Sequence, residues 1–132
     1  GLVYPMPAPS PTPPAGETEA DAPMLTAAEV RAYADAYLGG RPPGPYDFPL
    51  LADRFDGLPP TLLLPVEHDP LRDDATAFAE RIRAAGGAVE LSPGPGLVHG
   101  CLRAIGTVPT ATALYRRLVG FLAAALAPQT AP

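Results

Sequence analysis

Two short stretches of this chain have the residue types and spacing of proton-transfer chemistry. Glu67-His68-Asp69-Pro70-Leu71-Arg72-Asp73 places an aspartate just beyond an apolar run, and Leu97-Val98-His99-Gly100 places a histidine thirty positions after Asp69. A carboxylate that orients an imidazole, and an imidazole that shuttles a proton, are two of the three parts of a Ser-His-Asp arrangement. In that role His99 takes the proton of an attacking hydroxyl and later returns it to a leaving alcohol, while Asp69 fixes the imidazole tautomer and stabilises the imidazolium. The third part is absent from these residues: Ser10 and Ser92 are the only serines, and neither lies in a G-x-S-x-G turn. Spacing alone leaves the plainer reading open, in which a lone Asp and a lone His are surface residues with satisfied hydrogen bonds.

The neighbours of this pair offer other chemistry, and each offer is weak. His68 adjoins Asp69 and points the other way if the backbone is extended, so it is expected to be structural or to support the pair from behind. Glu67, His68, Asp69, Asp73 and Asp74 form an acidic cluster without calcium-loop spacing and without an H-x-x-x-H or C-x-x-C pair, so no metal site is expected. Cys101 reads as a small buried hydrophobe, since a catalytic thiol needs an identified base and a depressed pKa.

The elements that must position Asp69 and His99 are those of an α/β fold. Thr61 to Val66 is a continuous apolar run of strand length, as in a parallel strand buried on both faces, with Pro65 placed at its C-terminal end. From Asp73 to Ala85 the spacing of Ala75, Phe78, Ala79 and Ile82 gives an amphipathic helix ended by Gly86-Gly87, and Ala88 to Leu91 alternates as a second strand. A βαβ unit of this kind joins parallel strands, and catalytic residues emerge at the carboxyl ends of such strands. Asp69 follows the first strand, and His99 follows the second on a Gly/Pro loop, so adjacent strands can bring both to one rim.

Around this unit lie further elements. Gly1 to Tyr4 reads as a short buried strand, and the proline-rich run from Pro5 to Pro23 as a partly disordered loop. Thr26-Ala27-Ala28-Glu29 is a capping box, and Val30, Tyr33, Ala34, Tyr37 and Leu38 give the following helix one apolar stripe up to Gly39-Gly40. That helix is either structural or part of a lid over a pocket. Arg41 to Pro60 is turn-rich. A last helix begins near Pro109 and is expected to bury Leu114, Leu118, Phe121, Leu122 and Leu126 on one sheet face.

Composition removes several classes of function. The chain of 132 residues has a net charge of −5, and its nine basic residues are all arginines scattered among acids, which argues against a nucleic-acid partner. No apolar run approaches the roughly 18 to 20 residues that span a bilayer, so no membrane association is expected. The single cysteine cannot form an internal disulfide and the opening residues Gly1-Leu2-Val3-Tyr4-Pro5 carry no leader pattern, from which a cytoplasmic location is expected. Twenty prolines and 13 glycines cluster into a few runs, leaving apolar segments between them that can pack. Entry on an apolar strand without a methionine is expected of a fragment or a processed product.

The strings Asp21-Ala22-Pro23-Met24-Leu25-Thr26, Gly57-Leu58-Pro59-Pro60, Glu67-His68-Asp69-Pro70-Leu71-Arg72-Asp73, Arg83-Ala84-Ala85-Gly86 and Gly96-Leu97-Val98-His99-Gly100 closely resemble, in order and spacing, the hormone-sensitive-lipase-like esterases of the α/β-hydrolase fold. The resemblance runs from Gly1 to about Leu126. It implies a carboxylic-ester hydrolase working through an acyl-enzyme, without a cofactor, on a small ester with an apolar acyl group. Only Asp69, as triad acid, and His99, as triad base, carry over. The family's nucleophilic serine, in G-D-S-A-G-G, and its oxyanion loop, H-G-G-G, precede the matching region. Cys101 stands where the family usually has an aromatic, Phe48-Pro49 replaces a more usual Ser-Pro, and Pro65 lies inside the strand before the acid.

The resulting expectation is the C-terminal portion of one α/β-hydrolase domain, with a parallel sheet and flanking helices. Residues 1–4 form a core strand, 5–49 loop and lid elements, 50–127 the acid and base half, and 128–132 a disordered tail. The 132 residues alone are expected to be inactive and to need the N-terminal half of the hydrolase, in cis or in trans. The alternative is a non-catalytic remnant or interaction domain derived from the same fold.

Overall fold

The computed structural model describes residues 1–127; the tail at 128–132 lies outside the described residues. A parallel sheet is built in two offset parts. Strands β1 (Leu2–Val3), β2 (Thr61–Leu64) and β4 (Val89–Leu91) pair in the order β1-β2-β4, and β3 (Val66–His68) pairs with β5 (Gly94–Val98). Every pairing is parallel. Helices α1 (Ala15–Thr18), α2 (Ala27–Leu38), α3 (Arg72–Ala84) and α4 (Pro109–Leu126) complete the chain, with short 3₁₀ turns at Pro49–Leu51 and Cys101–Ala104.

Pro65 is where the apolar run departs from a single strand. Having no N–H to donate, it breaks the run into β2 and β3. Its carbonyl still accepts from Gly94 at 2.8 Å, and the Leu63 carbonyl accepts from Ser92 at 2.9 Å. Those two bonds carry the ladder across the break. The segment after Ser92, expected as a loop, forms β5 although it opens Gly94-Pro95-Gly96, because prolines and glycines mask its strand character. Gly94 is required there by close packing, since a Cβ would come within 2.8 Å of Leu97 Cδ1 and 3.2 Å of Val66 Cγ1.

The three leucines of β2 alternate between two cores. Leu62 and Leu64 face Val66, Leu97, Cys101, Ala111 and Leu114 under α4, whereas Leu63 faces Phe55, Ala75, Phe78, Ala79 and Ile82 under α3. All three are fully buried, as an unbroken apolar run requires of a strand covered on both faces. A smaller cluster of Leu25, Val30 and Leu71, with Met6 against it, seats α2 near the start of α3. The Thr26 capping box is made in full: Thr26 Oγ1 accepts from the Glu29 amide at 3.2 Å, and Glu29 accepts from the Thr26 amide at 2.8 Å.

Helix α4 meets its expected burial only in part. Ala111 and Leu114 are buried and Leu118 and Phe121 partly so, but Leu122 is exposed and Leu126 is 80% exposed. At about 1.5 Å per residue the 18-residue helix outruns strands of two to five residues. Among the described residues no helix is long and apolar enough to cross a membrane.

The proline-rich connection between β1 and α2, expected to be partly disordered, folds the single turn α1 and is clasped to α3. Thr12 donates to Asp74 twice, from its amide at 3.1 Å and its hydroxyl at 2.9 Å, and the Ala15 amide donates to Asp73 at 2.8 Å. Asp74 is fully buried, and burial raises its carboxyl pKa to about 6 against the pull of the Thr12 hydrogen bonds, with the negative charges of Asp69 and Asp73 adding to the rise.

Because the folded state holds the Asp74 proton more tightly than the unfolded chain, this group's stabilising contribution is full below about pH 4 and is lost as pH rises through 6, a change on the order of 2 to 3 kcal/mol. Asp74→Asn, which keeps an acceptor and a donor for Thr12, is expected to flatten that part of the pH dependence. Thermal unfolding between pH 4 and 7 measures it, and an unaltered slope would show that the carboxyl is not the source. Gly94→Val is expected to destabilise the fold by about 1 to 3 kcal/mol through overpacking against Val66 and Leu97, read as a lowered denaturation midpoint.

Candidate active site

The β3–β5 register decides which residues meet. Val66 pairs with Gly94 and His68 with Val98, with an irregularity between them that takes up the extra length of β5. The residues that follow each strand, Asp69 and His99, therefore leave the sheet side by side. His99 Nδ1 lies 2.8 Å from Asp69 Oδ2.

Asp69 has no exposed surface. Its other oxygen, Oδ1, accepts from the Leu71 amide at 2.9 Å, and its backbone carbonyl accepts from Arg72 at 3.1 Å, so the residue closes the first turn of α3 as it presents Oδ2. When Nδ1 is the donor in this contact, the imidazole is the tautomer whose Nε2 lone pair is free. His99 is held by β5 on one side and on the other by Gly100, whose φ of 74° turns the chain away into the Cys101–Ala104 turn. The His99 side chain retains 25% exposure. The Tyr4 ring packs against it, with ring centroids 4.4 Å apart.

The other candidates fall outside this pair. His68 is 46% exposed and turns away to Glu19, with Nδ1 at 3.4 Å from Glu19 Oε2. Arg72 joins that group, approaching Glu19 at 3.8 Å and Asp73 at 3.1 Å. Cys101 is buried, and burial pushes its thiol pKa up, the direction that removes the nucleophilic thiolate. Among the described residues no group of three His, Cys, Asp or Glu side chains is placed to hold a metal ion. Ser10 is exposed and Ser92 is half-buried at the end of β4.

Two features escape sequence reasoning. The Asp73 and Asp74 carboxylates, which a helix dipole favours in a first turn, are also the anchors of the proline-rich connection. Tyr4 closes over His99 from a position ninety-five residues earlier in the chain. The signal available for the second was Tyr4-Pro5 at the end of an apolar strand, where the chain leaves the sheet on the same rim as Asp69 and His99.

The chain is similar to known esterases over most of its length. A family model for the alpha/beta hydrolase fold matches residues 1–103. Carboxylesterase NlhH of Mycobacterium tuberculosis is 40% identical over 98 residues, which are 70% of this chain and 30% of that protein. Esterase LipI of the same organism is 38% identical over 97 residues, again 70% of this chain and 30% of that protein. The chain thus spans 30% of the length of these two curated relatives. The crystal structure of esterase LipW from Mycobacterium marinum superimposes with a TM-score of 0.84 at 29% identity, covering 96% of this chain and 40% of that one. Parallel strands, flanking helices and this match together show that the chain belongs to the α/β-hydrolase fold family, in its hormone-sensitive-lipase-like branch, and corresponds to the C-terminal part of larger esterase structures.

Proposed function

We propose that this chain is the acid- and base-bearing part of a serine carboxylic-ester hydrolase, with Asp69 as the triad acid and His99 as the base. The observation that carries the reading is the 2.8 Å contact of His99 Nδ1 with a carboxylate that has no exposed surface. The naming of the relatives as carboxylesterase and esterase supports the reaction class.

In this mechanism His99 Nε2 takes the proton from a serine Oγ as that oxygen bonds to the ester carbonyl carbon, and Asp69 stabilises the imidazolium so formed. The tetrahedral intermediate collapses with cleavage of the bond to the alcohol oxygen, which receives the proton from Nε2 and leaves an acyl-enzyme. Water then repeats the sequence with His99 again as base, releasing the carboxylic acid. Protein groups supply every step, so no cofactor is called for. The serine and the oxyanion donors belong to the N-terminal part of the hydrolase, joined to this chain in cis or in trans. The substrate is a small ester with an apolar acyl group.

In the protein that carries both parts, His99→Ala is expected to lower ester turnover by about 10⁴- to 10⁶-fold while leaving the fold intact. Near-normal turnover would place the base elsewhere. Asp69→Asn is expected to lose about 10⁴-fold, because an amide stabilises the wrong imidazole tautomer; hydrolysis of a p-nitrophenyl ester measures both. The coding DNA upstream of Gly1 gives a prior test. In-frame H-G-G-G and G-D-S-A-G-G motifs are expected, and a stop codon with neither would favour a non-catalytic interaction domain.

A further inference from the structure

Among the described residues two that are not glycine hold a positive φ, Tyr4 at 34° and Met24 at 75°. Both reach the turn that carries His99. The Met24 Cε lies 3.9 Å from where a Cβ on Gly100 would sit, and the Tyr4 ring packs on the His99 imidazole with the two planes tilted by 52°. Left-handed backbone is unfavourable for a bulky side chain, and a residue before proline is further confined to extended backbone. Tyr4 precedes Pro5 and goes against both preferences.

A conformation of that kind persists only where its surroundings over-determine it, and such positions cluster at functional sites. The determinants here are visible. The Tyr4 amide donates to the Leu64 carbonyl at 2.9 Å, the last bond of the β1–β2 ladder. The side chain packs, with Leu102 from the turn after His99, against the core under α4. At this left-handed turn the ring meets the imidazole, with centroids 4.4 Å apart.

The imidazole is thus restrained in two directions. Asp69 fixes its edge at Nδ1, but a hydrogen bond leaves the ring able to rock about that contact. A ring packed against the imidazole, with centroids 4.4 Å apart, restricts the rocking. We infer that Tyr4 is a positioning residue for His99, its ring holding the imidazole plane so that Nε2 points to the reacting hydroxyl. The inference rests on His99 being the base, although the ring contact itself does not.

The test is made in the protein that carries this chain together with its nucleophile, with three variants. Tyr4→Phe keeps the ring and is expected to keep kcat close to the parent value. Tyr4→Leu removes it and is expected to lower kcat about 10- to 100-fold with KM little changed. The downfield proton resonance of the His99–Asp69 hydrogen bond should broaden or move in Tyr4→Leu and not in Tyr4→Phe. Tyr4→Gly also removes the ring while relieving the left-handed backbone, and replaces Tyr4→Leu should that variant fail to fold. A folded variant without the ring that shows parental kcat and an unmoved resonance would overturn the inference and leave Tyr4 a packing residue. Retained turnover in His99→Ala would instead sink the assignment of the base. The resonance would then still decide whether the ring holds the imidazole.

Discussion

Asp69 has lost its contact with water, and the hydrogen bonds that replace it tie the start of α3 to the loop after β5. A buried carboxylate without partners is among the least favourable groups a protein can hold, so its two oxygens have to be satisfied. One accepts from the Leu71 amide and the other from His99. The first bond is local and is formed with the helix; the second spans thirty residues and requires β3 and β5 to be neighbours in the right register. Geometry at the rim therefore follows from the sheet.

The sheet meets that requirement through an irregularity. Pro65 cannot donate, so the strand before Asp69 breaks and restarts, and β5 takes up the offset with an uneven register against β3. Helix α3 is held at its first turn by the connection that starts at Tyr4, through Asp73 and Asp74. The same connection begins by placing the Tyr4 ring on His99. A stretch rich in proline, poor in secondary structure and far away in sequence thus touches both the helix that follows Asp69 and the His99 imidazole.

Much of this was legible in the residues. Continuous apolarity at Thr61 to Val66 marked a strand buried on both faces, helical spacing marked α3 and α4, and Thr26 with Glu29 marked the start of α2. The strands are parallel and helices flank them, as the order of elements implied. What was not legible depended on contacts between distant segments. β5 was hidden because Gly94-Pro95-Gly96 has the composition of a loop, and only the close approach of Val66 and Leu97 explains the glycine. The clasp at Asp73 and Asp74 was hidden because acidic residues at a helix start already have a local explanation in the dipole. The exposure of Leu126 was hidden because periodicity shows which face of a helix is apolar and not how far the sheet beneath it extends.

The central claim is that Asp69 and His99 serve a serine that lies outside these 132 residues. Treating the protein that carries this chain with an ester-mimicking fluorophosphonate and mapping the modified peptide tests it most directly. The account predicts one phosphonylated serine, in a G-x-S-x-G turn N-terminal to Gly1 or on a companion chain. A stoichiometric adduct on Ser10, Ser92 or Cys101, or no adduct in a preparation that hydrolyses esters, would contradict it.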